Sequence, residues 1–151
     1  MQGRLRIWLI LSRTPSQQPA VDAAGFLLSK EEVQRAQAMC ESTGAWLVLD
    51  NTYEHFTYGA DEHSCTAAPN VVNIFSFSKA YGMMGWRVGY IAYPDDSQCA
   101  GLGAEILKVQ DTIPICPSQV SQVVAHAALG EGRGWVRERV VGLQGTHLQH
   151  N

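Results

Sequence analysis

The sequence predicts an α/β fold, with helices packed on a mainly parallel sheet that carries one antiparallel strand. Three observations predict it. The runs "AWLVLD" (45–50) and "VVNIF" (71–75) hold too few polar residues to alternate, which is the pattern of strands covered by helices. Segments before and after them place apolar residues at helical spacing. A third apolar run, "VGYIAY" (88–93), follows the second after only about a dozen residues. That is short for a parallel crossover containing a helix, so this last pair is expected to be antiparallel.

The elements follow in order. Residues 1–20 carry Arg4, Arg6 and Arg13, no acid, and the apolar run "IWLIL". The composition is weak targeting chemistry, and the run is too short to span a membrane, so a buried strand over 5–11 is the preferred reading. Two prolines and several small polar residues make 12–25 a loop. Ser29 and Glu32 have capping-box spacing, Val33, Ala36, Met39 and Cys40 form an apolar stripe, and Gly44 supplies a left-handed stop. "AWLVLD" reads as a strand buried on both faces and ends at Asp50, where open α/β sheets keep their chemistry. The polar stretch 51–70 leads to "VVNIF", which runs into a segment bearing Lys79. Residues 97–113 read as helical, "PICP" breaks the pattern, a helix is expected over about 118–129, and another begins near Trp135. Gly82, Gly85 and Gly89 suit loop bends and close packing.

Composition excludes several classes. With 151 residues, 46% hydrophobic and 17% charged, one domain is expected. The net charge of −3, with no long run of either sign, gives no footprint for nucleic acid or an anionic membrane and favours small-molecule chemistry. Cys40, Cys65, Cys99 and Cys116 contain no C-x-x-C pair and are sparse for a disulfide scaffold, so a reducing, cytoplasmic setting is expected, with plastid or mitochondrial targeting left open. His55, His63, His126, His147 and His150 lack ligand spacing, and no metal is expected. "GLGAEI" lacks the third glycine of a dinucleotide fingerprint and reads as a helix start. A short-chain dehydrogenase would need tyrosine four residues before its lysine, where Phe75 stands.

Lys79 carries the chemical argument. Of three lysines, Lys30 and Lys108 fall on amphipathic helices, whereas Lys79 follows a buried strand amid "SFSKAYGMMGWRVGY". A lysine in a dry pocket near a second cation gains nucleophilic character, and Arg87 is the nearby cation in sequence. Ser76, Ser78 and Arg87 together suit a phosphate dianion. An electrophile that carries a phosphate and pairs with a lysine suggests pyridoxal phosphate held as a Schiff base. Its ring nitrogen needs an acid, for which Asp50 is the candidate, and Tyr53 is placed to meet the ring's phenolate oxygen. Singly, each residue has an ordinary alternative in capping, ion pairing or packing; their order and spacing together are more specific.

"LVLDNTYEHFTYG" followed by "VVNIFSFSKAYGMMGWRVGYIAYP" resembles the large-domain core of the class I/II, fold-type-I pyridoxal-phosphate aminotransferases, with the S-x-S-K-(x7)-R segment the most specific part. The resemblance covers about 25–140 and implies that fold. It implies Lys79 as the Schiff-base lysine, Asp50 as the pyridinium partner, Tyr53 as the phenol beside the cofactor oxygen, and Ser76, Ser78 and Arg87 as phosphate binders. It further implies transamination between an amino acid and a 2-oxo acid, with the freed Lys79 amine moving the substrate proton, in a homodimer. "LKVQDTIPICPSQVSQ" is most similar to plant-type enzymes acting on aromatic amino acids and methionine. Where the family has an N-P-x-G turn this chain has "DAAG", which puts Asp22 in place of an amide donor. Residues 1–24 are left unassigned, 25–140 are read as a partial large domain and 141–151 as a truncated tail. A partial aminotransferase is expected; the alternative is a non-catalytic remnant or a dimerisation partner of full-length relatives.

Overall fold

A computed structural model of the chain describes residues 7–11, 28–57, 63–95 and 101–148. They comprise strands β1 (Ile7–Leu11), β2 (Trp46–Asp50), β3 (Val71–Ser76) and β4 (Gly89–Ala92), and helices α1 (Lys30–Ser42), α2 (Leu102–Thr112) and α3 (Gln119–Leu148). The sheet runs in the order β1-β2-β3-β4; β1, β2 and β3 are mutually parallel and β4 is antiparallel to β3. This is the α/β arrangement expected from the sequence, including the reversed last strand. The 12–25 loop and Asp22 lie outside the described residues.

Local sequence starts and stops α1 as expected. Ser29 Oγ accepts from the Glu32 amide at 3.2 Å, and Ser29 N donates to Glu32 Oε2 at 2.8 Å. The same hydrogen bonds hold the Glu32 carboxyl below its ordinary value. At the other end Gly44 takes φ 63°, which turns the chain straight into β2. Val33 and Cys40 seat on Leu47, Leu49 and Val71 as the main core. Met39 was expected in that stripe but is 58% exposed, because a position adjacent to Cys40 lies about 100° round the helix.

Strand β2 is covered on one face, not both. Leu47 and Leu49 are buried under α1, while Trp46, Val48 and Asp50 on the opposite face are half-buried. Covering of both faces, which its near-continuous apolar run had suggested, is not provided by the described elements. The β3–β4 pair is drawn tight at Gly89: a Cβ there would fall 2.6 Å from the Phe75 carbonyl oxygen, so the predicted close packing is real at this glycine. Phe75 and Tyr90, directly opposite, stack with centroids 4.8 Å apart.

Beyond the sheet, Gly101 at φ 85° opens α2, so "GLGAEI" is a helix start. Lys108 pairs with Glu105 at 2.6 Å on the exposed surface. The two helices expected here are found: α3 is broken at Gly132 (φ 77°, ψ −178°), whose non-helical backbone joins one helix that begins at Gln119 to a second that runs to Leu148. Its two halves bury different ground: Ala125 meets Phe77 and Met83, while Val136 and Val140 meet Ala80. The segment carrying Lys79 is thereby anchored from both sides of the break. Among the described residues, no helix is long and apolar enough to cross a membrane.

Candidate active site

The predicted site residues gather at the carboxyl ends of β2 and β3. Asp50 is the last residue of β2 and pairs in register with Ile74 of β3. Side chains alternate along a strand, so Asp50, Ile74 and Ser76 project to the same face, opposite to Leu49 and α1. Tyr53 lies on the turn that follows β2, and Lys79 lies three residues past β3. Lys79 Nζ stands 5.7 Å from the Tyr53 ring centroid, which brings the two turns together.

The three expected phosphate residues adjoin across the β3–β4 hairpin. Ser76 pairs in register with Gly89, and the Phe77 amide donates to the Val88 carbonyl at 3.4 Å, so Arg87 and Ser78 flank the same hydrogen bond. Ser76 Oγ accepts from the Ser78 amide at 3.1 Å. Arg87 sits in the left-handed region at φ 51°, and its Nη1 donates to the Met84 carbonyl at 2.9 Å. This bond folds the guanidinium back on its own 3-10 turn (Met84–Trp86). A dry pocket around Lys79 is not found: Lys79 and Arg87 are both exposed. The strand before Lys79 is half-buried, but no described element roofs the turn that carries it.

Several polar groups at this end were not read from the sequence. Asp50 Oδ1 accepts from Thr52 N at 3.0 Å and from Thr52 Oγ1 at 2.5 Å. On the α1 face, Asn51 is 2% exposed and knits β2 to β3: its Nδ2 donates to Asn73 Oδ1 at 3.1 Å and to the Leu49 carbonyl at 3.3 Å. Asn51 Oδ1 faces His63 Nε2 at 2.8 Å, which fixes that nitrogen as the donor, and Asn73 Nδ2 donates to the Thr66 carbonyl at 3.1 Å. His63 is therefore a packing histidine, as its lack of ligand spacing suggested. One signal for this cluster was legible. Asn73 interrupts an otherwise apolar strand at an inward position, where an amide persists only if it is hydrogen-bonded.

A second cleft lies beside the Tyr53 turn. It encloses about 240 Å³ between Glu54, His55 and His63 on one side and Arg133 and Arg137 of α3 on the other. Glu54 Oε1 lies 3.4 Å from His55 Nε2, and Glu54 Oε2 lies 3.9 Å from Arg133. Burial raises the Glu54 carboxyl above its usual range, with Arg133 opposing. Burial lowers the imidazoles of His55 and His63, Arg133 adds to both shifts, and His55 adds to that of His63. Burial, with Glu54 adding, raises the Tyr81 and Tyr90 phenols.

An amine, a phenol, a carboxylate, two hydroxyls and a guanidinium thus share one end of the sheet. Residues 22–148 match the family Aminotransferase class I and II. The chain is 47% identical over 120 residues to Aromatic aminotransferase ISS1 of Arabidopsis thaliana, covering 80% of this chain and 30% of that protein. It is 33% identical to an aspartate aminotransferase of Rhizobium meliloti, covering 66% and 24%. Among solved structures it is similar to the aromatic aminotransferase of Pyrococcus horikoshii OT3, with TM-score 0.68, 25% identity, and 89% of this chain on 35% of that one. It shares a fold with N-succinyldiaminopimelate aminotransferase of Mycobacterium tuberculosis, with TM-score 0.72, 21% identity, and 95% on 36%. The chain spans between about a quarter and a third of the length of these relatives. It belongs to the class I and II aminotransferases.

Proposed function

We propose that this chain carries the cofactor-holding part of a pyridoxal 5'-phosphate-dependent aminotransferase. The observation that carries the reading is the convergence of Lys79 and Tyr53, 5.7 Å apart, on the strand end that bears Asp50. The donor set suits this cofactor. Lys79 supplies a primary amine for its aldehyde, and Ser76, Ser78 and Arg87 supply hydroxyl and guanidinium donors for its phosphate. Tyr53 supplies a phenol for the ring oxygen, and Asp50 a carboxylate for the ring nitrogen. When bound, the cofactor supplies an electron sink for charge developing at a substrate carbon. The chain's own part is to hold it at three points and to offer the Lys79 amine as the group that moves a proton.

The 47% identity to an aromatic aminotransferase supports an aromatic amino acid and a 2-oxo acid as the substrates of the whole protein, with methionine the alternative that the sequence resemblance implies. Mixing the purified chain with pyridoxal 5'-phosphate and reducing with borohydride should fix one cofactor on Lys79, read by peptide mass spectrometry, and Lys79→Ala should abolish it. A wild-type chain with no adduct at Lys79 would overturn the reading.

One observation favours a second role. Ile113, Ile115, Val120 and Val123, around the start of α3, are 62 to 76% exposed, an apolar surface suited to a second aminotransferase chain. Light scattering on the chain alone and mixed with a full-length relative tests this; monomers in both would remove it.

A further inference from the structure

We propose that Thr52 is a positioning residue for Asp50, fixing the plane and tilt of the carboxylate that faces the ring nitrogen of the bound cofactor. This rests on the cofactor reading above and deepens it at one residue.

The motivating geometry is two donors from one residue on one oxygen. Thr52 N and Thr52 Oγ1 reach Asp50 Oδ1 at 3.0 Å and 2.5 Å. The terminal torsion of an aspartate is broad and two-fold, so a lone carboxylate swivels freely. A single donor leaves that swivel open, whereas two donors converging from different directions close it. The hydroxyl contact has the length of a charge-assisted O–H···O⁻ bond, and threonine suits the task because its β-branch restricts the hydroxyl's own rotation.

The ordinary alternative is that Asp50 merely closes the turn after β2. That task needs only the backbone amide: an aspartate side chain accepting the amide two residues on is a complete Asx turn. The hydroxyl adds nothing to the backbone, so what it does for the turn and what it does for the carboxylate can be separated. Valine at 52 keeps the amide and the side-chain shape and removes only the hydroxyl. A hydrogen bond weakens steeply as its angle leaves linearity, so a carboxylate that has lost one of its restraints holds a ring-nitrogen proton less well.

The test uses the 151-residue chain and pyridoxal 5'-phosphate labelled with ¹⁵N in the ring. Wild type should bind the cofactor with the ¹⁵N shift of a protonated ring. Thr52→Val should weaken binding about tenfold, the scale of one charge-assisted hydrogen bond, and move the ¹⁵N signal toward the unprotonated ring. Thr52→Ser should stay within about threefold of wild type and keep the protonated signal. If Thr52→Val does not fold, Thr52→Ala carries the same comparison. A wild-type chain that binds cofactor, with a valine or alanine variant matching it in affinity and ring protonation, would overturn the role of Thr52 alone. Equal loss in the serine and valine variants would also overturn it, since only packing would then explain both. Failure of wild type to bind would overturn the cofactor reading and this inference with it.

Discussion

Lys79 Nζ lies 5.7 Å from the centroid of the Tyr53 ring, so the turn after β2 and the turn after β3 meet through an ammonium and an aromatic face. The contact joins the residue proposed to take the cofactor's aldehyde and the residue proposed to meet the neighbouring ring oxygen. It needs the ring but not the phenol oxygen, which gives a way to separate support from function.

Tyr53→Phe should leave unfolding stability within about 0.5 kcal/mol of wild type, because the face under Lys79 and the edge contact with Phe56 at 5.9 Å both survive. Tyr53→Ser should cost about 1 kcal/mol or more through loss of both contacts. Urea titration compares them. Cofactor retention should fall in both variants, because both lack the phenol; full retention in Tyr53→Phe would remove the phenol from the proposed set.

Asn51→Leu should destabilise the chain by about 2 to 3 kcal/mol. The substitution is close in volume, but it strips Asn73 Oδ1 of a donor and His63 Nε2 of its acceptor in a buried setting. Asn51 and Asn73 changed together to apolar residues should cost less than the sum of the single changes, since neither would leave the other unpaired. A double-mutant cycle by urea denaturation reads this directly, and strict additivity would contradict the pairing.

The buried imidazoles set an acid limit on stability. His55 and His63 are held below their ordinary value in the fold, so the unfolded chain binds those protons more readily. Their contribution is present above the ordinary imidazole value of 6.5 and is lost as pH falls through the lower folded values. Glu54 runs the other way: its raised carboxyl contributes below the ordinary value of 4.5 and loses that contribution as pH rises through the folded value. The urea midpoint of wild type should therefore drop between pH 7.5 and 5.5, with a shallower drop in His63→Gln, whose amide still donates to Asn51. Glu54→Gln should remove the opposing trend, because its amide does not titrate. Parallel pH profiles for wild type and His63→Gln would count against this assignment.

Much of the frame was legible because its signals are local. The capping box at Ser29 and Glu32 and the left-handed stop at Gly44 lie within a few residues of what they fix. The antiparallel β4 followed from the length of one connection. The Asp50, Tyr53 and Lys79 grouping was also readable, since each sits at or just past the end of one of two neighbouring parallel strands. What escaped was set by partners distant in sequence. Exposure of Lys79 depends on whether another element roofs its turn, and the Asn51–Asn73 bond joins residues 22 apart through strand register. Met39 was misplaced because an apolar stripe has a rim, and only the sheet beneath decides where the rim falls.

Gly132 and Gly134, only two residues apart, should respond to alanine with opposite signs. Gly132 holds φ 77° and ψ −178°, a region nearly closed to other residues, and a side chain there costs about 1 to 3 kcal/mol or forces the helix straight. Straightening would lift Val136 and Val140 from Ala80, so neither escape is free. Gly134 lies in regular helix with nothing within 4 Å of an added Cβ. Alanine there should stabilise by about 0.5 to 1 kcal/mol through helix propensity alone. Gly132→Ala should lower the urea midpoint and Gly134→Ala should raise it. A gain at both positions would show that the break at 132 is not needed to seat the two halves of α3 on the Lys79 segment.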